Sequence, residues 1–119
     1  SGKHYYHRLD NGLIEIPPNS LMVLGKKVPT CGGFFFRLCP VTIYKMYVKF
    51  LNSQKIPLVF YTHSWELHPS KNRLKLPVRK YFIQYYNLNS VHKKFFKLVD
   101  VFDFMSIYDY LQKHKVEVN

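Results

Sequence analysis

The residues Ile56-Pro57-Leu58-Val59-Phe60-Tyr61-Thr62-His63-Ser64-Trp65-Glu66-Leu67-His68-Pro69 decide how the rest of the chain is read. Leu58 to Tyr61 is an apolar, β-branched and aromatic run of strand length, suited to burial on both faces of a sheet. It breaks off into the polar, ring-bearing residues His63, Trp65, Glu66 and His68. In α/β proteins the segment just past the carboxyl end of a buried strand is where ligands bind and chemistry is done. An imidazole on a rigid strand end, with a stacking ring and a carboxylate within three positions, has the make-up of a proton-transfer site. The same residues also suit a strand that leaves the core through a Trp-capped loop.

Composition bounds what can surround this stretch. With 119 residues, 47% hydrophobic and 18% aromatic, the chain is one globular domain or a fragment of one spanning 1–119, and too ring-rich for disorder. No apolar run approaches the length of a membrane span, and the first residues lack a signal-peptide core. Cys31 and Cys39 are not spaced as a metal knuckle, and a core this rich needs no disulfide. That pattern predicts a reduced setting, cytoplasmic or membrane-peripheral, with export not readable from the chain. The net charge of +11 is uneven: Leu67 to Val99 holds eight Lys or Arg and no Asp or Glu. Such a face would attract phosphate, anionic glycan or acidic head groups. A solvated surface in a protein rich in Lys, Asn, Tyr and Phe would read the same way.

Upstream, His4 and His7 sit three apart before the turn signal Asp10-Asn11-Gly12, and two histidines do not make a metal site. Leu13-Ile14-Glu15-Ile16 reads as a short strand stopped by Pro17-Pro18. If buried, Glu15 needs a cationic partner; on an edge strand it would sit in water. Asn19 or Ser20 is expected to cap a helical turn ended by Gly25, followed by a basic loop to Thr30. Cys31-Gly32-Gly33-Phe34-Phe35-Phe36-Arg37-Leu38 is not a phosphate-cradling loop, because the Lys-Ser/Thr ending is absent. Arg37 is the best internal cation to pair with Glu15 or to clamp an anionic group. Pro40 opens a helix to about Ser53, with Ile43, Tyr44, Tyr47, Val48 and Leu51 as its apolar stripe. A helix leading into the 57–62 strand is half of a β-α-β unit, which predicts a largely parallel sheet there.

Downstream, Lys71 to Pro77 reads as a basic connector and Val78 to Tyr86 as a short helix. Asn89 or Ser90 caps a helix with Val91, Phe95, Leu98 and Val99 on its apolar face and Lys93, Lys94 and Lys97 on the other. Phe102-Asp103-Phe104 suggests a brief strand, and Ser106 caps a last helix through Leu111, with a frayed tail from Gln112.

Several of these segments, in this order, resemble one family. Gly12-Leu13-Ile14-Glu15-Ile16-Pro17, Gly32-Gly33-Phe34-Phe35-Phe36-Arg37-Leu38-Cys39-Pro40, the stretch Phe60 to Pro69 and Phe82 to Leu88 are similar to the C-terminal part of polysaccharide deacetylases. The nearest subgroup is the one linked to exopolysaccharide and exosortase gene clusters. The resemblance runs from about residue 12 to 111. It implies an α/β fold: the C-terminal portion of a distorted (β/α) barrel of NodB type, with a small partly parallel sheet and about four helices. It implies a hydrolase that removes N-acetyl groups from sugars, using a divalent, zinc-like metal held by an Asp and two His, with a second Asp as base. By that resemblance His63 is the general acid that protonates the leaving amine. Trp65 would wall the pocket, Glu66 or Glu15 would orient or charge-tune His63, and Arg37 would support the site.

The chain also departs from that family. It contains no Asp-Asp pair and no His-Ser/Thr-x-x-x-His, so no cofactor is expected in this chain itself. Ser64 stands where the subgroup has Pro, Phe34 where it has a third Gly, and Phe82-Ile83-Gln84-Tyr85 replaces a more basic segment. The expectation is therefore a fragment inactive alone, whose partners are an N-acetylated polysaccharide and the upstream metal-binding half of the same protein. A homodimer through exposed sheet edges is a further expected association. The alternative is a non-catalytic basic and aromatic module that binds glycan or single-stranded nucleic acid. Nucleic acid is disfavoured because the rings do not form an RNP-type strand pair.

Overall fold

The computed structural model describes residues 5–116, so His4 lies outside the described residues. The chain begins with two small hairpins. β1 (His7–Arg8) pairs antiparallel with β2 (Ile14–Glu15), and β3 (Ser20–Val23) with β4 (Lys26–Pro29). Between β3 and β4 the chain reverses at Leu24 (φ 48°) and Gly25 (φ 75°). This hairpin stands where a helical turn and a loop were expected. Leu21-Met22-Val23 pairing against Lys26-Lys27-Val28 satisfies the backbone in a way that one unpacked turn could not.

Helices form the rest: α1 (Gly33–Leu38), α2 (Val41–Ser53), α3 (Ser64–Leu67), α4 (Val78–Tyr85), a 3-10 turn (Leu88–Ser90), α5 (Val91–Val99) and α6 (Ile107–Lys113). The four expected helices are present as α2, α4, α5 and α6. Pro40 precedes α2, and Ser106 caps α6 by accepting from the Asp109 N–H at 3.1 Å. The tail is not frayed at Gln112: the helix runs on to Lys113, and Val116 is buried.

The fold is mixed α/β, with both sheets antiparallel. The expected parallel sheet around 57–62 is not formed among the described residues. The element before α2 is a helix, α1, where a β-α-β unit would need a strand. The 57–61 segment is extended all the same. Its Val59 N–H donates to Asn19 Oδ1 at 2.7 Å, and its Pro57 carbonyl accepts from Asn19 Nδ2 at 3.0 Å. One buried amide thus occupies the place a neighbouring strand would take. Further along, the Tyr61 N–H donates to the Cys31 carbonyl at 2.9 Å, and Gly32 and Tyr61 make an isolated parallel bridge. Gly32 has φ 148°, and a Cβ there would drive into the Tyr61 carbonyl oxygen. Only glycine permits this approach. Phe102-Asp103-Phe104 forms no strand; Phe104 instead packs its ring edge against Phe60 and Phe95.

The core joins α1, α2 and α5 through Phe36, Tyr44, Val48, Leu88, Val91 and Leu98, with Leu58, Phe60 and Phe102 packed against them. Phe36 lies 4.9 Å from Tyr44 and 5.1 Å from Phe60, both edge-on, the arrangement that ring quadrupoles favour. Leu58 to Phe60 are half-buried rather than enclosed on both faces, because helices cover one side only. Cys31 and Cys39 are free thiols.

Candidate active site

The 57–61 segment delivers the chain to α3, and the residue at the hand-over is His63, with extended backbone at φ −89° and ψ 150°. A four-residue helix cannot stand by itself, since nucleation costs more than one turn returns. Glu66, three residues on, supplies what is missing. Its Oε2 accepts from the His63 backbone N–H at 3.1 Å and from Thr62 Oγ1 at 3.4 Å, as a carboxylate at the third helical position should. Glu66 is buried, and burial of a carboxylate demands a cation.

That cation is Arg37. Its Nε lies 3.4 Å from Glu66 Oε1, an ion pair between two buried side chains. Nη1 donates to the carbonyls of Gln84 (2.8 Å) and Tyr86 (3.1 Å), and Nη2 to that of Ile83 (2.9 Å). These carbonyls end α4, where the helix dipole favours positive charge. Burial pulls the guanidinium below its ordinary pKa, and the Glu66 carboxylate pushes back. The guanidinium also lies 5.6 Å from the centre of the Phe34 ring and 5.9 Å from that of Trp65. One side chain therefore ties α1, α3 and α4 together and fixes Trp65.

Trp65 in turn supports His63. The two rings stack at 5.9 Å with 11° between their planes, and Tyr61 meets the imidazole edge-on at 6.0 Å. His63 is exposed, so its ring is held from the protein side and open to solvent. An imidazole so placed can pass a proton to or from a group arriving from outside.

Of the residues singled out in the sequence, His63, Trp65, Glu66 and Arg37 come together here. Glu15 does not: it is exposed on β2, opposite His7. The expected Arg37–Glu15 pairing is thus replaced by Arg37–Glu66: the Glu66 carboxylate is buried beside Arg37, and Glu15 stays in solvent. Glu66 holds the His63 backbone, and its carboxylate is hydrogen-bonded to that N–H and to Thr62 and paired with Arg37, not with the imidazole. Neither the cleft beside α4, lined by Arg73 and Tyr81, nor the one between Leu58, Phe60 and α6 is lined by His63.

Two supporting residues escaped the sequence reading. Lys94 Nζ donates to the carbonyls of Phe36 (2.8 Å), Arg37 (2.9 Å) and Cys39 (2.7 Å), closing the end of α1. It was expected on a wet face, yet Val91, Lys94, Phe95 and Leu98 are spaced i, i+3, i+4 and i+7, the spacing of a buried stripe. Asn87, left-handed at φ 50°, donates to the Arg37 carbonyl at 2.9 Å. Asparagine after a helix is a recognisable stop of that kind.

A family model, the domain of unknown function DUF3473, matches residues 1–112. The chain belongs to this family. The matched span of the DUF3473 domain takes in both hairpins, α1 to α5 and the whole Arg37–Glu66–Trp65–His63 assembly. No curated protein and no solved structure matches the chain.

Proposed function

We propose that this DUF3473 domain is the C-terminal region of a metal-dependent polysaccharide deacetylase, a hydrolase of N-acetylated sugars in exopolysaccharide biosynthesis. It contributes His63 as general acid and Trp65 as pocket wall to a centre completed by an upstream half of the same protein. The observation that carries this reading is the imidazole itself: solvent-open, stacked on a tryptophan, and seated on a buried Arg–Glu pair. As the C–N bond of a tetrahedral intermediate breaks, His63 delivers its ring proton to the departing amine nitrogen. Trp65 holds the imidazole plane and presents its free face to the sugar or the acetyl group. Arg37 and Glu66 position the pair without touching substrate.

The divalent, zinc-like metal of such an enzyme lowers the pKa of an attacking water. Among the described residues no group of three or more His, Cys, Asp or Glu could hold it, and this reading assigns its ligands to the upstream half. A partner segment has a place to dock. Asn19 takes one edge of the 57–61 segment, and among the described residues no strand pairs with the Leu58 and Phe60 groups that alternate to the other edge. In this reading the upstream half pairs with that edge, and a second copy of this chain competes for it. No helix among the described residues is long and apolar enough to cross a membrane. The reading puts the protein in the cytoplasm or at a membrane periphery.

The test is acetate release from an N-acetylated chito-oligosaccharide with added zinc. The complete protein turns it over and this chain alone does not. Turnover by the chain alone, or none by the complete protein, overturns the proposal.

A further inference from the structure

The 70–77 connector lies over α4, and the two enclose an open cleft of about 490 Å³, within the usual range of ligand sites. Its walls are Arg73, Tyr81, Phe82, Tyr85 and Tyr86, with Leu76 and Val78 at one end. We propose that this cleft is a subsite for an acidic sugar residue, such as a uronic acid, of the polymer whose acetylated residue reacts at His63. The inference rests on the deacetylase reading and extends it to the charge of the substrate.

The connector is irregular, yet Arg73 is held in place. Its Nη1 donates to Tyr81 Oη at 3.3 Å, its guanidinium lies 5.1 Å from the centre of the Tyr85 ring, and the next backbone N–H, of Leu74, donates to Tyr85 Oη at 3.0 Å. No carboxylate of the described residues forms an ion pair with it, and from Leu67 to Val99 the chain has none to offer. A planar guanidinium fixed at the wall of a cleft without a counter-charge suits a carboxylate, which it can bind through two N–H groups. Lys71, Lys75, Arg79 and Lys80 lie on the same two elements and are exposed.

The rings favour a sugar over a nucleic-acid base. Tyr81 and Tyr85 lean on each other at 4.8 Å and 56°, and Phe82 and Tyr86 at 4.7 Å and 41°. Neither pair forms parallel plates into which a base could slide, and Arg73 already covers Tyr85. What remains are single half-exposed ring faces with phenol hydroxyls nearby, suited to the C–H face and hydroxyls of a sugar. Packed side chains link the cleft to the His63 loop. Phe82 and Tyr86 contact Phe34 at 5.9 and 6.3 Å, Phe34 lies against Arg37, Arg37 against Trp65, and Trp65 against His63.

Calorimetric titration of the 119-residue chain tests this, with hexagalacturonate, neutral N-acetylchitohexaose and a dT12 strand as probes. Hexagalacturonate should bind with salt-sensitive affinity, more tightly than the neutral hexamer. Arg73→Gln and Tyr81→Ala should each weaken it at least fivefold, while Lys49→Gln on α2 leaves it unchanged, all three retaining the wild-type circular dichroism spectrum. No hexagalacturonate binding, equal loss with Lys49→Gln, or tighter Arg73-dependent binding of dT12 overturns the subsite. The titration needs no turnover, so it can fail while acetate release succeeds, or succeed while acetate release fails.

Discussion

Arg37→Met is the perturbation that bears most on the architecture. Methionine matches the stem of the arginine but removes its charge, leaving the Glu66 carboxylate buried with two neutral donors, the His63 N–H and the Thr62 hydroxyl. It also strips the carbonyls of Ile83, Gln84 and Tyr86 of charged donors, though the end of α4 lies near water, which can replace part of that loss. Breaking a buried ion pair from one side costs about 3–5 kcal/mol, and we expect about 4 kcal/mol here. That is a large share of the roughly 5–15 kcal/mol that holds a domain folded. Glu66→Gln keeps the shape and leaves Arg37 its three carbonyl acceptors, so its cost should be near 2 kcal/mol. Because much of the Arg37→Met penalty is a stranded carboxylate, the double variant should recover about 1–2 kcal/mol relative to the sum of the singles. Urea unfolding reads all of this through Trp65, the chain's one tryptophan, which sits over Arg37. If Arg37→Met costs less than about 1 kcal/mol, or if the single costs add within about 0.5 kcal/mol, the pair does not organise the loop as argued.

Gly32→Ala should cost about 3 kcal/mol or more, because a positive φ and a blocked Cβ position coincide beside Tyr61; a urea midpoint close to wild type would show that the bridge does not matter. Alkaline conditions should destabilise the fold. Burial raises the pKa of the Tyr44 phenol, with Cys31 and Tyr47 adding to it, and burial raises that of the Cys31 thiol. A raised folded pKa gives stability that is complete below the unfolded value and lost as pH climbs, here above about pH 9 and more steeply above about pH 10. Lys94, lowered by burial, acts with the opposite sign, so the comparison that isolates Tyr44 is with Tyr44→Phe. The phenylalanine variant loses the hydrogen bond to the Thr30 carbonyl and is less stable at pH 7, but its unfolding midpoint should fall less between pH 8 and pH 10.5; equal falls would contradict the assignment.

Local signals in the sequence carried the helices. Pro40 and the Tyr44-Val48-Leu51 stripe located α2, and Ser106 three residues before Asp109 located the cap of α6. The loop residues His63, Trp65 and Glu66 stood out because ring and charge follow an apolar run at once. What could not be read was pairing at a distance. Nothing near Arg37 in the chain says that its carboxylate lies on α3 and its carbonyl partners on α4. Asn19 standing in for a strand beside Val59 has no sequence signature at all, and the parallel sheet was expected from a unit whose first strand is here a helix. Lys94 is legible by its i+3 spacing from Val91, although its charge alone points to a wet face.

The central claim is that His63 moves a proton and does not merely shape the loop. Steady-state deacetylation kinetics of the complete protein, wild type against His63→Ala, measure that directly. A general acid contributes about 10²–10⁴-fold, so kcat should fall by that factor while KM stays within about twofold. Equal losses in kcat and affinity, or an unchanged kcat, would mean that the imidazole on Trp65 is packing and not chemistry.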